Sequence, residues 1–299
     1  SEMCIRDSLH NNRGTRNFWC RVEGKGYWSA CGVSAEQEFD KYTDRQDEST
    51  LEAGMMWQKL TRTSKKYHLQ SEITSFVSID GTTEIQLIKI TNLSEEEQEV
   101  TPIVAIPVYG RSADNIRDHR HVTSLLHRID TKECGVEVTP VLSFDERGHQ
   151  KNDTTYFVYG FTAEGNAPKE FYPTVESFIG EGGSFLIPEA VRVEKTGCTA
   201  GCHLEGKEAV GAFRFERRKL KANESIEYVV LAGATGEKAS ISKICTLFGT
   251  KEQAENELAK VKKYWTEKVN VEFETGDEAT DNYLKWISVS YTHLRAHET

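Results

Sequence analysis

The sequence predicts an all-β domain, an antiparallel sandwich or barrel, that hands over to helices near its C-terminus. Three observations carry this expectation. Short runs rich in β-branched and aromatic residues recur from about residue 17 to 245, separated by turn residues. No helical period intervenes between them, as expected of a sandwich or barrel. The apolar period then changes from two to that of a helix in TKEQAENELAKVKKYWTEKV, residues 250–269.

The strands follow in order. ITSFVSI (73–79), EIQLIKIT (84–91), TPIVAIPVY (101–109), TTYFVYGF (154–161), VGAFRFE (210–216) and SIEYVVLA (225–232) are each short and apolar or alternating. Asp80-Gly81, Asn92 with Ser94, Asn152-Asp153 and Asn223 mark the turns. The acidic run EEEQE (95–99) reads as a solvated hairpin tip. In the first helix Ala254, Leu258, Val261 and Trp265 share a face, and Thr250 with Gln253 forms a capping-box start. DEATDNYLKWI (277–287) begins a second amphipathic helix through Tyr283, Leu284 and Ile287.

The ends SEMCIRDS (1–8) and VSYTHLRAHET (289–299) read as translated adapter sequence, foreign to the natural protein. The expected organisation is a β domain over 9–249, then 250–288 as a helical linker and the start of a further domain, with the natural chain cut at both ends. Its 299 residues suffice for one large all-β domain or two smaller ones. The net charge of −10 repels phosphate backbones, so nucleic acid is not an expected partner. No run approaches the ~18 apolar residues of a membrane span, so no membrane partner is expected either.

Cys4 lies in the foreign stretch, which leaves Cys20, Cys31, Cys134, Cys198, Cys202 and Cys245 scattered along the chain. They form no dense disulfide framework, and free thiols in a reducing compartment, the cytoplasm, are the expectation. In CTAGCH, Cys198, Cys202 and His203 fall close together, but the cysteine gap is too long for haem attachment and no second ligand pair follows. No metal is expected; a Gly-containing turn is the plainer reading.

The densest polar chemistry lies in YGRSADNIRDHRHVTSLLHRI, residues 109–129. Arg111, Asp114, Asn115, Arg117, Asp118, His119, Arg120 and His121 crowd a connection between two strand-like runs. So long a connection in a compact domain is usually functional or disordered, and Ile116, Val122, Leu125, Leu126 and Ile129 argue for order. It reads as a loop that handles a polar ligand or a partner subunit. Asp114 and Asp118 could be proposed as a hydrolytic pair, but the neighbouring arginines lower carboxylate pKa values, which is wrong for a general acid. His119 and His121 could be two metal ligands on one strand face; loop-stabilising hydrogen bonds are the simpler account. Ser124 with His127 is too little for a nucleophile.

Two aromatic stretches are the other candidates. FYPTVESFIGEGGSFLIPEAV (171–191) sets Phe171, Tyr172 and Phe178 beside Gly180, Gly182 and Gly183, glycines that permit close backbone approach. GKGYWSACGVSAEQEFD (24–40) carries Tyr27 and Trp28. Flat apolar faces beside hydrogen-bonding groups suit a pyranose, so Tyr27, Trp28, Phe171, Tyr172 and Phe178 form a possible sugar platform. Packing of the same rings beneath a loop or hairpin is the competing reading.

GYWS (26–29), the 109–129 stretch, LSFDERGHQKNDTTYFVYG (142–160) and the 171–191 stretch together resemble glycoside hydrolase family 94, which holds cellobiose phosphorylase and its relatives, and are most similar to its 1,2-β-oligoglucan phosphorylase branch. FIGEGGSFLIPEAV is similar to the family pattern FIGRNGSLxxPxAL, with Glu181 where many members carry Arg. The resemblance implies an antiparallel, galactose mutarotase-like β-supersandwich, a helical linker, and then an (α/α)6 barrel. It implies an inverting reaction of β-glucan with inorganic phosphate as co-substrate, yielding α-glucose 1-phosphate without a further cofactor. A single Asp general acid in the barrel lies beyond residue 299, so no catalytic residue is expected in this chain and the chain alone is expected to be inactive. A sandwich loop that reaches the neighbouring subunit of a homodimer is also implied, and 111–128 is the candidate for it. The rival readings are a non-catalytic carbohydrate-binding or dimerisation sandwich, and a sandwich enzyme using Asp114 or Asp118.

Overall fold

The computed structural model describes residues 16–110, 123–145, 148–236, 238–269 and 271–296. Two antiparallel sheets face each other, and helices cover the far side of the larger one. The strands are β1 (Asn17–Val22), β2 (Gly26–Ser29), β3 (Glu48–Gly54), β4 (Trp57–Thr63), β5 (Leu69–Val77), β6 (Thr83–Asn92), β7 (Gln98–Val108), β8 (His127–Lys132), β9 (Gly135–Pro140), β10 (Leu142–Asp145), β11 (Gly148–Lys151), β12 (Thr155–Thr162), β13 (Glu170–Phe171), β14 (His203–Glu205), β15 (Ala209–Arg214), β16 (Arg218–Leu220) and β17 (Ser225–Thr235). The helices are α1 (Ala35–Asp40), α2 (Val175–Ile179), α3 (Glu189–Arg192), α4 (Lys238–Phe248), α5 (Lys251–Lys268) and α6 (Glu278–Ala296).

The smaller sheet runs β13-β15-β7-β1-β2, with β16 also on β7. The larger has nine strands in the order β14-β8-β9-β12-β17-β6-β5-β4-β3. Strand β10 pairs with β11 as a separate hairpin. Pro102 lacks a ladder donor and sits where β7 changes partner: β16 pairs with Gln98–Val100 and β15 with Ile103–Val108. A central strand thus accommodates a proline at a gap between its neighbours.

Side-chain alternation sorts the strands into three apolar clusters. Ile88 and Ile90 of β6 join Phe18, Val104, Phe213 and Val230 in the core between the sheets. Ile85 and Leu87 of the same strand point the other way, onto Ile241, Ile244 and Phe248 of α4 and Ala254 and Val261 of α5. On the outer face of the smaller sheet, Trp19, Ile103, Ala105 and Ala212 are covered by Tyr172, Phe178, Ala190 and Val191. The sheets approach closely where Gly211 faces Val158; a Cβ on Gly211 would lie 2.3 Å from that of Val158.

The all-β supersandwich with C-terminal helices is the observed fold. Helix α5 begins where its capping box predicts, with Thr250 Oγ1 accepting from Gln253 N–H and Gln253 Oε1 accepting from Thr250 N–H. Residues 238–248, expected within the β domain, instead form helix α4. Its apolar residues Ile241, Ile244, Cys245 and Phe248 have helical spacing, but Ile, Ser and Thr dilute the helical propensity. The EEEQE run divides: Glu95, Glu96 and Glu97 are exposed in the turn, whereas Gln98 enters β7 and is buried. Its Nε2 donates to Tyr67 O and Asn92 Oδ1 at 3.0 and 2.8 Å.

Candidate functional site

Strand β7 ends in the smaller sheet and β8 begins in the larger one, so the connection between them crosses from one sheet to the other. Arg111, Asp114, Asn115, Arg117, Asp118, His119, Arg120 and His121 lie in that connection, outside the described residues. The two ends from which they spring are described, and they are held together by one imidazole.

Gly110 N–H donates to His127 Nε2 at 3.2 Å, and His127 Nδ1 lies 3.2 Å from Lys207 O. A carbonyl only accepts and an amide N–H only donates, so the proton belongs on Nδ1 and the ring is neutral. His127 is buried, and burial lowers its pKa from the ordinary imidazole value. Gly110 must be glycine for want of room: a Cβ there would meet Pro140 Cγ at 2.6 Å. The return strand is fixed by Gly206 N–H to His127 O at 3.0 Å and Val141 N–H to Leu126 O at 2.9 Å. Thr123 and Ser124 are buried at the loop's descending end, while Tyr109 on the ascending side is 39% exposed.

The same corner brings the second singled-out stretch alongside. Val175 N–H donates to Glu208 O at 2.9 Å, and Lys207 Nζ pairs with Glu176 at 3.1 Å. Arg128 Nε meets Glu205 at 2.9 Å on the adjoining strand pair. The base of the 111–122 connection and the N-terminal end of the 174–187 segment are therefore neighbours. Helix α2 starts with a reciprocal cap between Thr174 and Ser177 and stops at Gly180, whose φ of 84° favours glycine. A Cβ on Gly183 would lie 2.0 Å from Ile179 O. These glycines are explained by chain geometry. Glu181 is exposed.

The sugar-platform expectation needs correction. Trp28, Phe171, Tyr172 and Phe178 are at most 2% exposed, and their faces are occupied by core neighbours. The polar tips are used as well: Trp28 Nε1–H donates to Asp47 at 2.8 Å and Tyr172 O–H to Lys195 O at 2.7 Å. Tyr27 is half-buried, edge-on to Trp19 with ring centroids 5.9 Å apart. Aromatic residues identify large apolar surfaces but do not say whether the fold covers them. Exposed rings outside that expectation include Phe39 and Tyr42, 77% and 86% exposed within the polar stretch EFDKYTD, besides Tyr109, Tyr264, Tyr283 and Trp286.

A polar cleft of about 300 Å³ opens elsewhere, lined by Arg21, Thr101, Lys169, Glu194, Arg214 and Arg217 among others. Its cations are matched by carboxylates: Arg214 with Glu170 at 2.5 Å, and Arg217 with Glu194 at 2.8 Å. Burial pushes the Glu170 carboxyl up, but hydrogen bonds from Gly197 N–H and Arg214 outweigh it and leave the group below the usual carboxylate range. In CTAGCH, both ring nitrogens of His203 face carboxylates, Asp130 at 2.9 Å and Glu205 at 3.2 Å, which raise its pKa. Among the described residues, no group of three or more His, Cys, Asp or Glu side chains is placed to hold a metal ion, and no helix is long and apolar enough to cross a membrane.

Among solved structures, the chain resembles a bacterial glucoamylase with acarbose bound, with 10% identity and a TM-score of 0.46 over 84% of this chain and 31% of that one. A family 92 α-mannosidase from Bacteroides thetaiotaomicron gives 10% identity and a TM-score of 0.43 over 90% and 31%. A human-microbiome protein assigned as a kojibiose phosphorylase gives 10% and 0.31 over 77% and 22%. The chain thus spans under a third of the length of each. No curated protein gives a significant sequence match. The family described as glycosyl hydrolase 94, supersandwich domain, matches residues 5–251. That match covers most of the chain, which therefore belongs to the glycosyl hydrolase 94 supersandwich family, the sandwich domain of glycoside phosphorylase- and hydrolase-like proteins.

Proposed function

We propose that this chain is the sandwich portion of an inverting β-glucan phosphorylase of the 1,2-β-oligoglucan type. The family match over residues 5–251 supports a glycoside phosphorylase-like parent, and the choice of branch rests on the resemblance carried by the 109–129 and 171–191 stretches. In the proposed reaction, a phosphate oxygen attacks the anomeric carbon of the terminal glucosyl unit from the α face. The C1–O bond to the remaining glucan breaks, and an Asp general acid in a following helical barrel protonates the departing oxygen. The products are α-glucose 1-phosphate and a glucan shorter by one unit. No step needs a cofactor, because phosphate takes the place of the activated water of a hydrolase. A charged sugar phosphate does not cross a bilayer unaided, which favours a cytoplasmic setting.

The sandwich is assigned binding and assembly. The connection carrying Arg111, Asp114, Asn115, Arg117, Asp118, His119, Arg120 and His121 is proposed to meet the glucan on its acceptor side across a homodimer, with Tyr109 as the aromatic face beside it. The chain alone is proposed to be inactive. The test compares a longer protein, containing this sandwich and the domain that follows it, with and without inorganic phosphate on β-1,2-gluco-oligosaccharides. Shortening of the glucan only when phosphate is present supports the proposal; equal shortening without phosphate overturns it in favour of a hydrolase.

A further inference from the structure

Helix α4 lies on the larger sheet with Ile241, Ile244 and Phe248 buried, and on the same side Cys245 faces Cys134 in the turn between β8 and β9. Their Sγ atoms are 3.6 Å apart although 111 positions separate them in sequence. Both backbones are held in place. Cys134 O accepts from Gly160 N–H at 2.8 Å, and Gly135 beside it has no space for a side chain, since a Cβ would lie 2.0 Å from Val158 O. Cys245 O accepts from Gly249 N–H at 2.9 Å. Both thiols are free and only partly buried, so a small reagent can reach them.

A disulfide requires the sulfurs to close to about 2.05 Å, a movement of roughly 1.5 Å from the observed separation, within the range of side-chain rotation. Of the other cysteines, Cys20 and Cys31 lie deep in or against the core between the sheets, and Cys198 and Cys202 are four positions apart and join no distant elements. Among the described cysteines, only the Cys134–Cys245 pair would link the β domain to the helices.

We propose that Cys134 and Cys245 form a covalent modification site, a dithiol that a low-molecular-weight disulfide converts to an intramolecular disulfide, stapling α4 to the β8–β9 turn. Cys245 is the first nucleophile: the hydrogen bond from Cys134 Sγ favours its thiolate and lowers its pKa, against the opposing effects of burial and Glu137. Its thiolate attacks the reagent RSSR, forms a mixed disulfide and expels RS⁻. Cys134, whose pKa is raised while it serves as hydrogen-bond donor, then loses its proton and attacks Cys245 Sγ, expelling the second RS⁻. The two protein protons leave with the expelled groups. Overall two protein thiols and RSSR give one protein disulfide and two RSH, with two electrons passing to the reagent.

The test incubates the reduced full chain with oxidised glutathione at mildly alkaline pH, maps peptides without reduction, and records thermal unfolding before and after dithiothreitol. The expected result is a Cys134–Cys245-linked peptide in the parent chain and in the C198S/C202S variant, and its absence from C134A and C245A. Closing so long a loop should raise the Tm of the oxidised parent by about 5–10 °C, reversibly and with no rise in C134A. Cys134 and Cys245 recovered as free thiols or glutathione adducts would overturn the proposal. So would a linked peptide with unchanged Tm.

Discussion

At the residue scale His127 ties two segments together: its neutral imidazole donates to Lys207 O, ahead of β15, and accepts from the buried Gly110 N–H after β7. Replacing it by alanine leaves Gly110 N–H and Lys207 O without that partner, at about 1–3 kcal/mol for each group that water cannot reach. The pH dependence has a definite sign. The folded pKa lies below the ordinary value of 6.5, so just below that pH the unfolded chain binds the proton and the folded chain does not. Stability is fully present above 6.5 and is lost as the pH falls through the folded pKa, where the loss ends. Glu208 partly offsets this by favouring the charged ring. The Tm gap between the parent and His127→Ala should therefore be wider at pH 7.5 than at pH 5.5; an equal gap would show that His127 is not buried neutral. Phe178 offers a second test. It is fully buried under the outer face of the smaller sheet, so Phe178→Ala should cost about 3–5 kcal/mol in denaturant unfolding. A stable variant with impaired glucan binding would restore the sugar-platform reading.

At the scale of elements, the strands that bury both faces were the most legible. TPIVAIPVY and SIEYVVLA are nearly continuous apolar runs, and they became the centres of the two sheets, β7 and β17. The rim of the larger sheet was not legible: ESTLEAG forms the edge strand β3 and WQKLTRT its neighbour β4, where β3 is almost wholly exposed and no apolar alternation is required. Helix α4 was missed because its apolar face is built from residues that also suit strands. Helix α5 was found because a capping box is a local chemical signal that tertiary packing does not overwrite. Thr250→Ala should accordingly cost about 1 kcal/mol, measured by chemical denaturation; no loss would mean that packing of Ala254 and Val261 alone fixes the helix start. The candidate site was legible as a place in the chain, since charge density marks the connection after β7. Its anchor was not, because the partnership of Gly110, His127 and Lys207 spans β7, β8 and the approach to β15, which no local pattern reveals.

At the scale of the molecule, three apolar layers stack across two sheets, and only the core between the sheets is the sandwich proper. One outer layer, beneath α2 and α3 on the smaller sheet, and a second, beneath α4 and α5 on the larger, tie the 171–195 segment and the C-terminal helices to it. A Cβ at position 211 would strike Val158 in the opposite sheet, so Gly211→Ala should separate the sheets locally and destabilise by about 1–3 kcal/mol. In a longer enzyme, Arg117→Ala or His121→Ala should raise the acceptor KM by roughly tenfold or more, as expected for the loss of one charged hydrogen bond; an unchanged KM with an intact dimer would count against the acceptor role of that loop. The proposed chemistry itself is most directly read by following the reaction of the longer protein with β-1,2-gluco-oligosaccharide and phosphate by NMR. The account predicts that phosphate is consumed and the α anomer of glucose 1-phosphate is the first product; free glucose, or the β anomer of the phosphate, would contradict it.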